Sequence, residues 1–346
     1  MSSSSLATLH LIEKEVITFI GSAIFLAGLL GCILNITVFL SLQTFRQSSC
    51  AFYLTVMSLL NSGQLLTTVL PRILGAIIGT DGSDKSVFFC KFRLFSIAFG
   101  TIFSLNCFCF AIMDQYCATC SRPRLQQLCN VKLARYLVCI FGIIWFLYAI
   151  PYWIFYNQVV SVTTGTIVCM MTNAVYLQIR AYFNSPVLIG FLPIVATVTF
   201  GLMAYRNLQK MRFYTVPLVR RELDKQLTSI VLTQGLINTF VLSPYAIAFI
   251  ISLTVNAADN AVLKAHIDFS ANITFTLFWV YYACPFYIYI CVSHRFRRQF
   301  IHVFSKIHYL TTIPVLIPEE TTLVVMQSTT VVARMVDAVM DMICVT

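Results

Sequence analysis

CKFRLFSIAFGTIFSLNCFCFAIMDQYCATCSRP, residues Cys90 to Pro123, is the stretch whose reading decides the fold. It is a long apolar run with a cysteine at its head and the tripeptide Asp114-Gln115-Tyr116 at its foot. About 20 apolar residues suffice for a helix to cross a bilayer, and residues 92–116 meet that length.

Working outward, the rest of the chain has the same character. Of 346 residues, 59% are hydrophobic and 10% charged, where a soluble domain carries about 25% charged residues. Mean hydropathy is +0.84, so most of the chain faces lipid or other apolar helices. Apolar runs separated by polar breaks predict seven spans, at residues 16–42, 51–78, 92–116, 133–155, 182–205, 227–255 and 266–292. The expected fold class is an all-α membrane protein, a seven-transmembrane helix bundle. Turn-forming or charged residues at 79–85, 157–165 and 256–259 punctuate it. Residues 1–15 read as a polar N-terminus without the positive region of a cleaved signal peptide. Residues 293–309 read as a short juxtamembrane helix and 310–346 as a disordered cytoplasmic tail.

The cations set the orientation. Placing the first, third and fifth connections with the tail on one side collects 16 of the 23 Lys and Arg residues, Arg122, Arg124, Lys132 and Arg135 among them. Short loops rich in Lys and Arg stay in the cytoplasm, so the expectation is a plasma-membrane protein with its N-terminus outside and its C-terminus inside. Topology and attraction to anionic lipid explain the basic excess; a nucleic-acid partner is not needed.

In this order and one per span, Gly31-Cys-Ile-Leu-Asn35, Cys90 lying 25 residues before Gln115, Trp145, Pro193, Pro244 and Pro285 resemble the rhodopsin-family (class A) G-protein-coupled receptors, of a divergent invertebrate type. The resemblance covers all seven spans. It implies a receptor that passes an extracellular signal to a heterotrimeric G protein, and a disulfide between Cys90 and Cys169. The expected topology leaves only these two of 13 cysteines on the oxidising side. Pro193, Pro244 and Pro285 imply helix kinks.

The departures from the family carry information. Asp114-Gln115-Tyr116 stands where the family has Asp-Arg-Tyr, and Asp224 where it has the acid that pairs with that arginine. Gln115 has no charge, but its amide both donates and accepts; the expected contact is an amide-to-carboxylate hydrogen bond to Asp224, with Asp114 meeting a nearby cation. Cys284-Pro285-Phe-Tyr-Ile-Tyr289 replaces Asn-Pro-x-x-Tyr. Phe296 and Phe300, four apart among cations, suit an amphipathic helix on the inner leaflet. Asp114, Gln115, Tyr116, Asp224, Tyr289 and Phe296 are therefore the expected coupling and activation residues. The Thr- and Ser-bearing tail could offer arrestin sites. Asn35, Asn61, Ser104, Gln234 and Asn238 are expected to form one hydrogen-bonded interior network, Asn61 replacing the family's sodium-binding aspartate.

For the ligand, Ile97 occupies the position where amine receptors of the family need a carboxylate, and Phe278 that of the opsin lysine. Arg93, Ile97, Thr101, Arg180, Asp268 and Asn272 are the expected ligand-binding residues, and their mixed charge favours a peptide over a small chemosensory molecule. No metal-ligand spacing or phosphate loop points to an enzyme, a metal or a cofactor. The competing reading is a seven-helix transporter or channel, or a receptor-like protein that does not couple.

Overall fold

The computed structural model describes residues 3–41, 43–80, 82–160, 167–210, 218–255, 261–294 and 296–303. The elements in chain order are helices α1 (Ser3–Ser41), α2 (Gln43–Arg46) and α3 (Ser49–Gln64), a π turn (Leu65–Val69), then α4 (Leu70–Ile78), α5 (Val87–Thr119), α6 (Pro123–Gln126) and α7 (Val131–Phe155). An antiparallel hairpin of β1 (Tyr156–Val160) and β2 (Ile167–Met171) follows. After it come α8 (Ala174–Ile179), a π helix (Arg180–Phe191), α9 (Leu192–Lys210), α10 (Leu218–Thr254), α11 (Ala261–Phe278), α12 (Val280–Ala283) and α13 (Pro285–Val292).

Among the described residues, five helices can cross a membrane by length and composition: 8–41, 87–119, 131–155, 174–210 and 225–252. The pair 262–283 and 285–292, bent by 52°, makes a sixth if taken as one span. The expected second span is helical from Ser49 to Ile78 but is divided by the π turn, just ahead of Pro71. A π turn closes its hydrogen bonds one residue late and inserts a residue into the helical face. The protein is a multi-pass helical membrane protein, with one small hairpin among the described residues. Large side chains open to the outside of the bundle, such as Phe19, Phe191 and Phe240, fit a lipid solvent.

Helix α5 is the hub. Two-thirds of its most apolar window (67%) is buried against 17% for α7, so α5 runs through the bundle and α7 along its flank. It packs on α3, α7 and α9. Its start is fixed by Ser86, whose side chain accepts from the Phe89 amide; Ser48 and Asn130 cap α3 and α7 in the same way.

The departures from expectation are local. Residues 3–15, read as a polar N-terminal segment, belong to α1. Residues 157–165, read as a break, include most of β1, and Gln158 pairs opposite Cys169. The fifth span starts earlier than 182, and its irregularity lies in the π helix around Pro186; Pro193 is the second residue of the regular helix that follows. Pro244 lies inside α10 and Pro285 opens α13 at the bend. Residues 296–303 are helical, with Phe296 and Val303 buried and Arg297 and Arg298 exposed. The tail from 304 lies outside the described residues.

Candidate functional site

The two ends of the bundle differ in construction. At one end the Cys90–Cys169 disulfide, with Cα atoms 5.8 Å apart, ties β2 to the head of α5. The Gln158 side-chain amide donates to the Ser83 carbonyl at 2.8 Å and ties the hairpin down a second time. Beside it lies a cavity of about 670 Å³, within the roughly 300–1,000 Å³ of ligand pockets.

Five of the six expected ligand residues line this cavity: Arg93, Ile97, Arg180, Asp268 and Asn272. Thr101 does not. It lies deeper in α5, buried, with its hydroxyl 2.7 Å from that of Tyr282, and so belongs to the interior. The cavity also takes residues that the sequence did not single out, chiefly Arg72, Tyr245, Phe249, Lys264 and Phe275. Arg72 donates to Asn272 Oδ1 at 2.6 Å and stands 5.6 Å from the centre of the Phe275 ring. Arg180 donates to the Tyr156 hydroxyl and lies over the rings of Tyr156 and Phe249, at 5.9 and 5.7 Å. Burial pushes the Tyr156 phenol up, and the Arg180 guanidinium opposes that shift.

Beneath the cavity the polar interior is a set of separate contacts. Ser104 donates to Asn61 Oδ1 at 2.5 Å and lies 2.9 Å from the Tyr281 hydroxyl, joining α3, α5 and α12. Tyr289 donates to Gln234 Oε1 at 2.7 Å, while Gln234 Nε2 reaches the Met57 sulfur at 3.5 Å. Asn35 reaches the Ser58 hydroxyl at 3.5 Å. Asn238, on the same helical face as Gln234, is buried with neither amide atom bonded among the described residues. The single network expected from the sequence is thus three clusters plus one unjoined asparagine. Sequence reading missed Tyr281, Tyr282 and Ser58 because a tyrosine or serine in an apolar run carries no mark of the helix it faces.

At the opposite end, Gln115 is 2% exposed and its Oε1 accepts from the Thr228 hydroxyl at 2.9 Å. The expected partner was Asp224, one helical turn before Thr228 on α10; the Asp224 side chain lies outside the described residues. Asp114 Oδ1 accepts from Ser49 at 2.6 Å, a partner the sequence did not suggest. Tyr116 packs on Phe200 with ring centres 5.7 Å apart. Phe296, fully buried, meets the rings of Phe39, Phe45, Phe286 and Tyr289. Each such ring pair adds about 0.5–1.5 kcal/mol beyond the area it buries. This cluster locks the helix at 296–303 against α1 and α13.

No family model matches the chain, and no curated protein matches it in sequence.

Proposed function

We propose that the protein is a rhodopsin-like receptor of the plasma membrane, taking an extracellular ligand into the cavity under the hairpin and acting on a heterotrimeric G protein at the Gln115 end. In this reading Ser49–Ile78 and the bent pair at Pro285 both count as spans, giving seven, with the N-terminus outside. The observation that carries it is the alignment along α5: Arg93 and Ile97 line the cavity, Ser104 sits in a buried polar cluster, and Gln115 joins α10 at the far end. One rigid helix thus touches the ligand space, the interior and the inner contact to α10.

Under this reading the resting state is held by a neutral hydrogen bond, Thr228 to Gln115, in place of a charged pair. A neutral bond contributes about 0.5–1.5 kcal/mol, less than one made to a charged group, so the inner ends of α5 and α10 separate at modest cost. Pro244, two-thirds of the way along α10, supplies the flexible point. A peptide remains the favoured ligand class, since cations, carboxylates and aromatic rings line the same space.

The test is expression in cells carrying a panel of G-protein activation sensors, without ligand, for the natural chain and for Gln115→Arg. A basal signal from either supports the receptor and names the G-protein class. Silence from both at confirmed surface expression, with solute or ion flux in vesicles holding the purified chain, would replace it with a transporter.

A further inference from the structure

We propose that the cavity takes a ligand bearing a carboxylate, and that Arg180 is the group that receives it. The proposal deepens the receptor reading and rests on it for identifying this cavity as the ligand site.

Arg180 opens the π helix between Ile179 and Phe191 and lines the cavity. Among the described residues its partners are the Tyr156 hydroxyl and the faces of Tyr156 and Phe249. None is a carboxylate. An ionisable side chain within a membrane span is costly and marks a functional position. Removing a guanidinium from water without an anion costs more than a hydroxyl and two ring faces return.

The surroundings hold the guanidinium in place without neutralising it. The disulfide fixes the hairpin, the hairpin carries Tyr156, and Tyr156 orients Arg180. Among the described residues, four permanent cations line the cavity, Arg72, Arg93, Arg180 and Lys264, against two carboxylates, Glu13 and Asp268. Arg93 is itself only 8% exposed. An oxyanion entering this space meets a net positive field in a low-dielectric setting. A planar guanidinium presents two parallel N–H donors that match the two oxygens of a carboxylate. Phe249 and Tyr245 on α10, with Phe275 on α11, offer apolar faces for the body of the ligand.

The carboxylate could belong to a small aromatic acid or to the free C-terminus of a peptide, and the probes separate the two. The full chain in nanodiscs is melted with indole-3-acetate, indole-3-acetamide or tryptamine, and with pools of short aromatic-ended peptides made as free acids or as C-terminal amides. A free-acid probe is expected to raise the melting temperature where its amide and amine counterparts do not. The set that gives the larger shift identifies the source. Arg180→Gln abolishes the shift. Arg180→Lys, which keeps the charge, melts normally without probe and binds at least about tenfold more weakly because the paired donors are lost.

Equal shifts from acid and amide, a larger shift from tryptamine, no shift from any acid probe, or an acid shift that survives Arg180→Gln would each overturn the proposal. The assay contains no G protein. A chain that prefers acids yet never activates a G protein sinks the receptor reading alone; one that couples in cells without acid preference sinks this proposal alone.

Discussion

Gln115 and Thr228 are joined by a buried hydrogen bond of 2.9 Å that links α5 to α10 at the end of the bundle away from the disulfide. The threonine stands one turn beyond the acid that the sequence pattern named. The contact depends on a single hydroxyl.

Thr228→Val removes that hydroxyl at nearly constant volume and leaves Gln115 Oε1 buried without its donor. The expected cost is about 1–3 kcal/mol of stability. Under the proposed function basal G-protein activation rises as well. Thermal melting in detergent and sensor output at matched surface expression check the two parts; unchanged values for both would show that the contact does not constrain α10.

Replacing Cys90 or Cys169 by serine loosens the hairpin, which then keeps the Gln158 contact to Ser83 and the Tyr156 contact to Arg180. The bond closes a loop with a sequence separation of 79 residues, and losing a bridge of this kind costs about 2–5 kcal/mol. Melting under reducing and oxidising conditions reads the loss. The Cys90 and Cys169 variants, with no bridge to reduce, should no longer respond to the reductant, whereas Cys107→Ser, which keeps the bridge, should respond as the natural chain does.

Gly28 and Gly63 should respond oppositely to substitution. A Cβ on Gly28 would stand 2.8 Å from Ala283 Cβ and 3.1 Å from Ala283 Cα, where α1 crosses α12. Backbone cannot give way there, so Gly28→Ala is expected to lose about 1–3 kcal/mol by overpacking. A Cβ on Gly63 meets nothing within 4 Å, and Gly63→Ala is expected to gain about 0.5–1 kcal/mol from helix propensity. Melting temperatures moving in the same direction would contradict the packing described.

The interior clusters make a similar contrast. Ser104→Ala removes the donor to Asn61 and the contact to Tyr281 together, at about 0.6–2 kcal/mol for each lost contact. Asn238→Leu removes a buried amide that bonds to nothing among the described residues, and is expected to leave stability unchanged or raise it. A destabilised Asn238→Leu would mean that the amide is satisfied in the membrane and belongs to the interior network after all.

How much of this was legible beforehand depends on the range of the signal. Runs of apolar residues located the crossing helices, because solvation by lipid is a local property of composition. The cavity was found at five of its six expected positions, since span ends are readable and charges in them are rare. Arg72 was missed because it follows the π turn at Leu65–Val69: an inserted residue rotates what lies beyond it by about 100°, so its direction could not be extrapolated from the start of the span. Arg180 was named and lines the cavity, but its setting between Tyr156 and Phe249 depends on a hairpin that the sequence presented as a break.

By itself the sequence determined that this is a multi-pass helical membrane protein, which of its two ends carries Cys90 and which Gln115, and which residues are polar within apolar surroundings. Only the tertiary structure decided their partners: Thr228 for Gln115 Oε1, Ser49 for Asp114, Tyr282 for Thr101, three polar clusters in place of one network. The reason is geometric. Composition fixes whether a residue enters the bilayer, whereas a hydrogen bond of 2.5–3 Å depends on how each helix is rotated and shifted against its neighbours, and that is set by packing across the whole bundle.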